Sequence, residues 1–318
     1  MGDAFSARLR GLFKQRRKGV TVGLELQSDG MAVVARQTGE GGTVSHMDFL
    51  RYQKTVSPAQ LLKDWVAEKR LNNADCNAVL GPDTYQILLV EPPDVPAEEL
   101  RGAIRWRLKD LVNIPVDQAA VDVFALPADG VRSNKKMVYV VVCEKKKIQA
   151  VVDLVGEAGL ALQSIDIGEL ALRNVVLNLL PPDQAERGVA LTRIRDGMAS
   201  VFIYRLGNLY LGRSFSLDYN GGLLDSLPEE ALALELQRSL DYYERQMGQA
   251  PPVAIYVCGE HVSEDKIGNV LKASLAPRIQ WLNPSAVVPM AVNDEWDDQL
   301  AQRCVAAIGG SLRQVEAG

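Results

Sequence analysis

The chain has 318 residues, of which 47% are hydrophobic, 24% charged and 6% aromatic, and its formal net charge is −5. That length predicts two lobes with sizeable cores, and the make-up excludes collagen-like, disordered and disulfide-stapled classes. Four cysteines (Cys76, Cys143, Cys258, Cys304) lie far apart without a Cys-x-x-Cys pair, and His46 and His261 are the only histidines. Zinc knuckles, redox motifs, multi-His metal sites and His-dependent triads are therefore not expected. The cysteines read as small buried hydrophobes in a reducing compartment. No apolar run approaches the ~20 residues needed to cross a bilayer, and the basic start leads into no apolar h-region. The expectation is a cytoplasmic chain.

Charge is unevenly spread. Residues 1–19 hold six basic groups (Arg8, Arg10, Lys14, Arg16, Arg17, Lys18) and one acid, Asp3, a local charge of +5 that leaves −10 on the remainder. An acidic body argues against general nucleic-acid binding, which needs a basic face. Phe5, Leu9, Leu12 and Phe13 recur at i, i+4, i+7 and i+8, one apolar stripe beside Arg8, Arg16 and Arg17. Such a segment either lies on an anionic inner leaflet or stays solvated as a tail.

From Val20 the pattern alternates: Val20, Val22, Leu24 and Leu26 point one way, Thr21, Gly23, Glu25 and Gln27 the other. Strands over 31–36 and 43–52 follow turns containing glycine, so the chain opens on a three-strand meander. A helix is expected from Pro58 to about Arg70, then short strands over 77–80 and 85–90. Pro96 suits the first turn of the next helix, with Glu98 and Glu99 at its positive end and Arg105, Arg107 and Lys109 towards the other. Its apolar stripe is Leu100, Ile104, Leu108 and Leu111. Trp106 sits roughly 150° from that stripe, where it either anchors a partner or packs inside its own lobe. Arg101 and Arg105 beside it can pair with a partner or with Glu98 and Glu99. Strands over 121–126 and 137–143 precede a helix over 145–158, whose Lys145-Lys-Lys147 reads as a solvated start and whose stop is Gly159. A strand over 161–167 and a helix over 169–180 complete the half.

The opening pattern then returns as strands over 188–194, 199–205 and 209–217. Asp-Gly-Met-Ala occurs at 29–32 and again at 196–199, each at the first turn of a meander, which indicates an internal duplication. A helix over 229–247 follows, with Leu236, Leu240, Tyr243 and Met247 on one face. A strand over 253–257 and a helix over 264–275 come next. The final helix, 297–312, turns Leu300, Cys304, Ala307 and Ile308 to the core. Asp294, Glu295, Asp297 and Asp298 read as acids favouring its start rather than as a metal site. Gly309-Gly310 weakens a helix interior by ~1 kcal/mol per residue and suits either close packing or a frayed end.

Several segments resemble the PilM group of type IV pilus assembly proteins. They are Glu99-Leu-Arg-Gly-Ala-Ile-Arg-Trp-Arg-Leu-Lys-Asp110 with Ile114-Pro-Val-Asp117, then Ala158-Gly-Leu160 leading to Ile165-Asp166 and Ala171-Leu-Arg173, and Leu236-Gln-Arg-Ser-Leu-Asp-Tyr-Tyr-Glu244. Within the group the likeness is greatest to the MshI branch, which serves mannose-sensitive haemagglutinin (MSHA) pili. The resemblance implies a duplicated actin-like (actin, Hsp70, sugar kinase) α/β fold of two lobes, each a β-meander plus helices, with an inserted small subdomain. The expected divisions are a tail at 1–19, a first lobe at 20–187 with an insertion at about 78–176, and a second lobe at 188–318. The last helix is a candidate to pack back on the first lobe.

The resemblance also places a nucleotide cleft between the lobes. Its first loop, hydrophobic-Asp-x-Gly-Ser in the family, corresponds to Leu24-Glu25-Leu26-Gln27-Ser28. The glycine that lets backbone N–H groups approach phosphate has become Gln27. Where the second loop has Asp-x-Gly, this chain has Arg193-Ile194-Arg195. Two unit charges 4 Å apart interact by roughly 4 kcal/mol at an effective dielectric of 20, so this exchange reverses a large term for Mg²⁺. The adenosine loop keeps only Gly259 of its glycines, between Cys258 and Glu260. The cofactor expectation is therefore none, with a degenerate site at Glu25, Gln27, Ser28, Arg193, Arg195 and Gly259, and neither a catalytic residue nor a metal. The alternative is an actin-like ATP-binding protein or ATPase that couples nucleotide state to pilus assembly.

On the partner side the resemblance implies a cytoplasmic scaffold that binds the short cytoplasmic tail of a PilN-like single-pass inner-membrane protein. Arg101, Arg105 and Trp106 are the candidate contacts. Self-association and peripheral contact with the inner membrane through Phe5, Arg8, Leu9, Leu12, Phe13, Arg16 and Arg17 complete the expectation.

Overall fold

The computed structural model describes residues 17–39, 41–96, 98–132, 135–195, 197–221, 226–292 and 296–314. The membrane-proximal residues Phe5, Arg8, Leu9, Leu12, Phe13 and Arg16 lie outside the described residues, as does the side chain of Arg17. Where the chain enters the structure it is already in β1 (Arg17–Leu26), which continues through β2 (Gly30–Gln37) and β3 (Val44–Arg51). Helix α1 (Pro58–Glu68) starts as its sequence dictates, with Pro58 in its first turn and the Ser57 hydroxyl accepting the Gln60 N–H. Strand β4 (Ala74–Leu80) pairs parallel to β1, and β8 (Ala161–Ile167) pairs parallel to β4, giving a sheet ordered β3-β2-β1-β4-β8.

Between β4 and β8 the chain builds a second, smaller layer. Strand β5 (Tyr85–Val90), helix α2 (Leu100–Arg107), β6 (Ala119–Ala125) and β7 (Val138–Glu144) form an antiparallel sheet ordered β5-β7-β6. Its own core gathers Ile104, Leu108, Val112, Ala119, Val138, Val140 and Val142. Helix α3 (Lys145–Glu157) then returns the chain to β8, stopping at Gly159, whose φ is +82°. Within the expected insertion at about 78–176, β8 is hydrogen-bonded to β4 in the first sheet.

Helices α4 (Gly168–Leu179) and α5 (Pro182–Arg187) lead into the second half, which opens on β9 (Val189–Arg195), β10 (Met198–Arg205) and β11 (Asn208–Ser216). Helix α6 (Glu229–Arg245), β12 (Ala254–Gly259), α7 (Asn269–Ser274), β13 (Arg278–Trp281) and α8 (Pro284–Val287) follow. The chain ends in α9 (Asp298–Arg303) and α10 (Val305–Ser311). This sheet is ordered β11-β10-β9-β12-β13. Each half thus repeats the same plan, an antiparallel meander whose first strand is flanked by two parallel additions. The repeated tetrapeptide sits slightly differently in each: Gly30 opens β2, whereas Gly197 lies in the turn itself at φ +72°.

Several element boundaries differ from those expected. Helix α2 starts at Leu100 rather than Pro96, and it tightens into a 3₁₀ turn at Leu108–Asp110 that carries Leu111 off the stripe, leaving it 54% exposed. The segment 264–275 is broken before α7 into a 3₁₀ turn, Glu264–Lys266, and the helix. The final helix is two helices meeting at Cys304. Helix α5, strand β13 and helix α8 were not foreseen, because four to six residues are too few to show a period.

Both faces of the first sheet are covered. Val22, Leu24, Met31 and Val33 pack with Leu62, Trp65 and Val66 of α1 and with Val151 and Val155 of α3. The opposite face joins a core that runs through Leu172 and Val175 of α4 and Ala306 to Ile308 of α10 into the second sheet and α6. So α10, the last element in sequence, lies on the first sheet. Its final carbonyls accept hydrogen bonds from Asn77 (Gly310 O, 3.0 Å), Asn174 (Gly309 O, 3.0 Å) and Arg36 (Ser311 O, 3.1 Å), a side-chain cap on a helix end that would otherwise be orphaned. A β-bridge adds to this, the Val44 N–H donating to Pro289 O at 2.8 Å and the Ala291 N–H to Val44 O at 2.9 Å. The small sheet is fixed to the second half as well. Tyr139 donates to Tyr210 O at 2.6 Å, and Asp129 accepts from Tyr210 at 2.8 Å and from Arg205 at 2.6 Å.

Candidate functional site: the cleft between the two sheets

The first strands of the two meanders face one another across the molecule, and their alternation sends Glu25 from β1 and Arg193 and Arg195 from β9 into the space between them. Glu25 is 1% exposed. Arg193 grips it through both oxygens, Nη1 to Oε1 at 2.7 Å and Nη2 to Oε2 at 3.0 Å, and Arg195 adds Nη1 to Oε1 at 2.9 Å. Gln27 donates from Nε2 to Oε2 at 2.9 Å. Gln27 is therefore turned inward and makes the fourth bond to the same carboxylate. Ser28 is exposed beyond it.

Burial acts to raise the pKa of Glu25, but the charges of Arg193 and Arg195 and the bonds from Arg193 and Gln27 outweigh it and hold the carboxyl below its ordinary 4.5. Burial likewise works against the Arg193 charge, and Glu25 more than compensates, raising it. The two shifts agree: the pair is ionised and each member is the other's counter-ion.

A second cluster closes the mouth of the cleft. Arg303, at the end of α9, donates through Nη2 to both oxygens of Asp29 at 2.6 Å and reaches Glu260 Oε1 through Nη1 at 3.0 Å. Its guanidinium carbon lies 3.4 Å from the centroid of the Phe49 ring, a stacked cation–π contact. Two neighbours on the same helix face, Gln302 and Gln299, accept the backbone N–H groups of Gly259 (3.1 Å) and His261 (2.6 Å). The backbone donors of Gly259 and His261 are thus filled by α9.

Five of the six cleft residues expected from sequence, Glu25, Gln27, Arg193, Arg195 and Gly259, come together here, and Ser28 does not join their hydrogen bonds. Arg303, Gln302, Gln299, Asp29 and Phe49 were missed. The available signal was Gln-x-x-Gln-Arg at 299–303, three long polar side chains on one helix face opposite the apolar one. A magnesium–nucleotide group does not fit this donor set. Mg²⁺ needs carboxylate oxygens free to face it beside phosphate, and both Glu25 oxygens are spent on guanidinium groups. Among the described residues no group of three or more His, Cys, Asp or Glu side chains is placed to hold a metal ion.

The second candidate surface is on α2. Trp106 is 80% exposed, on the face away from the small core. Arg101 and Arg105 have partners inside the protein, neither of them Glu98 or Glu99. Arg101 pairs with Asp122 at 2.5 Å and Arg105 donates to Ala119 O at 2.8 Å, so both cover the edge of β6.

Residues 84–217 match the family model described as type IV pilus assembly protein PilM, a span from just before β5 to just after β11. No curated protein matches the sequence. Among solved structures, a PilM–PilN type IV pilus biogenesis complex superposes with a TM-score of 0.69 at 16% identity, covering 94% of this chain and 98% of that one. The cytoplasmic domain of EpsL, an inner-membrane component of the type II secretion system of Vibrio cholerae, gives a TM-score of 0.53 at 10% identity, covering 90% and 94%. Among the described residues no helix is long and apolar enough to cross a membrane. With its duplicated sheets, shared strand order and these likenesses, the chain has the actin-like fold, and the PilM pattern runs through the small sheet and the second meander.

Proposed function

We propose that the chain is a cytoplasmic scaffold of type IV pilus biogenesis, of the MshI kind that serves MSHA pili. It binds the short cytoplasmic segment of a PilN-like inner-membrane protein and does not turn over ATP. The observation that supports the partner most is the PilM match across α2 and the small sheet, joined to the likeness to a PilM–PilN complex over nearly the whole chain. Trp106 is the anchor in this reading. A large aromatic exposed on a helix that is otherwise internally paired adds nothing to the fold and supplies a hot spot to a partner. Arg101 and Arg105 hold the helix against β6 beneath it. The basic segment at 1–19 keeps the acidic body close to an anionic leaflet.

Two experiments test this. The protein co-purifies with the N-terminal segment of the PilN-like protein at micromolar concentration, and Trp106→Ala weakens that binding by at least about tenfold while leaving the melting temperature unchanged. Full binding by the variant, or no binding by the unmodified protein, sinks the partner assignment. Calorimetric titration with Mg·ATP gives no binding heat, because a ligand would have to displace ion pairs already made. Tight metal-dependent binding would instead favour the ATPase alternative.

A further inference from the structure

We propose that α9 is a tethered occupant of the interlobe cleft, a clasp that takes the contacts a bound ligand would make and holds the two halves in one relative position. The inference rests on reading the cleft as a site without Mg·ATP, and is independent of the adaptor assignment. Three carboxylates, Glu25, Asp29 and Glu260, meet three guanidinium groups, Arg193, Arg195 and Arg303. They come from both halves: Glu25 and Asp29 belong to the first meander, Arg193 and Arg195 to β9, and Glu260 follows β12.

Each position around the cleft is answered by a side chain of this protein. Gln302 and Gln299 satisfy the backbone donors of the adenosine loop, and Gln302 is itself anchored by donating to Leu282 O at 2.6 Å. Arg303 spans from Asp29 to Glu260, one from each half, and its face is covered by Phe49. Arg193 and Arg195 stand beside Glu25 as fixed cations. The Glu25 side chain is 2% exposed and Arg193 and Arg195 are 10–13% exposed, so those pairs are little screened by salt, whereas Asp29 is 39% exposed and its pair with Arg303 counts for direction more than for strength. A planar fork on two carboxylates and a ring also fixes direction, which a lysine ammonium would not. Lobes clasped in this way do not need a ligand to set their angle.

Spin labels at Lys63 of α1 and Lys272 of α7, both exposed, report the distance between halves, since the four native cysteines are buried. With Lys63→Cys and Lys272→Cys, pulsed dipolar spectroscopy gives one narrow distance distribution that millimolar Mg·ATP leaves unchanged. Adding Arg303→Ala with Gln302→Ala broadens the distribution, and amide exchange at Gly259 speeds up by at least about tenfold. If that variant fails to fold, Arg303→Lys, which keeps the charge and loses the fork, is measured in the same way and also broadens it. A broad distribution in the unmodified protein, or an unchanged one in the clasp variants, overturns the clasp while leaving the reading of a cleft without Mg·ATP intact. A distribution that shifts or narrows with Mg·ATP overturns both.

Discussion

Exchanging Glu25 for leucine lowers the stability of the fold by about 4 kcal/mol, whereas the triple variant Glu25→Leu/Arg193→Met/Arg195→Met regains most of that loss. The single change leaves two guanidinium groups in a nearly dry cleft without the carboxylate that both face. The triple change removes all three charges and fills the space with side chains of similar volume. Arg193→Met alone costs less, about 3 kcal/mol, because Glu25 keeps its bonds from Arg195 and Gln27. Denaturant unfolding at neutral pH reads all three values. Additive losses in the triple variant would show that the residues do not act as one unit. Acid sharpens the test. The folded-state pKa of Glu25 lies below its ordinary 4.5, so its contribution is fully present above that pH and is lost as pH falls through the lower folded value. Glu25→Gln removes that part of the acid dependence.

The fold was readable because its two meanders alternate cleanly. Val22 and Leu24 against Thr21 and Glu25 announce a strand, and the same plan at β9 to β11 announces its copy. What was hidden is the nature of the second face. Alternation usually means water on the polar side, yet Thr21, Glu25 and Gln27 are buried, because that side faces α10 and the other half. The family resemblance located Glu25, Gln27, Arg193, Arg195 and Gly259 but not their mutual pairing, since partners more than 160 residues apart leave no local pattern. Arg303 was harder still. A polar face on a terminal helix reads as solvated, and only its position between Asp29 and Glu260 turns it into a contact across the cleft.

Gly309→Ala and Gly23→Ala each cost about 3 kcal/mol or more, although neither adds anything but a methyl group. A Cβ on Gly309 would stand 2.0 Å from Ala171 O, and one on Gly23 would stand 1.8 Å from Ala307 O. These are backbone atoms, which cannot swing aside as a flexible side chain would. Helix α10 touches β1 on one side and α4 on the other at backbone distance, so either methyl must push it out of place. That shift would strain the caps from Asn77, Asn174 and Arg36 and move α9, which precedes it directly. Gly309 is therefore a packing requirement, and the pair is not a frayed end. Gly156, in α3 with open space around it, is the control. Gly156→Ala raises stability by about 0.5–1 kcal/mol through helix propensity and a less flexible unfolded chain. Thermal unfolding of the three variants should move in opposite directions. If Gly309→Ala melts with the unmodified protein, α10 is not seated against α4 as closely as the geometry requires, and the clasp loses its support.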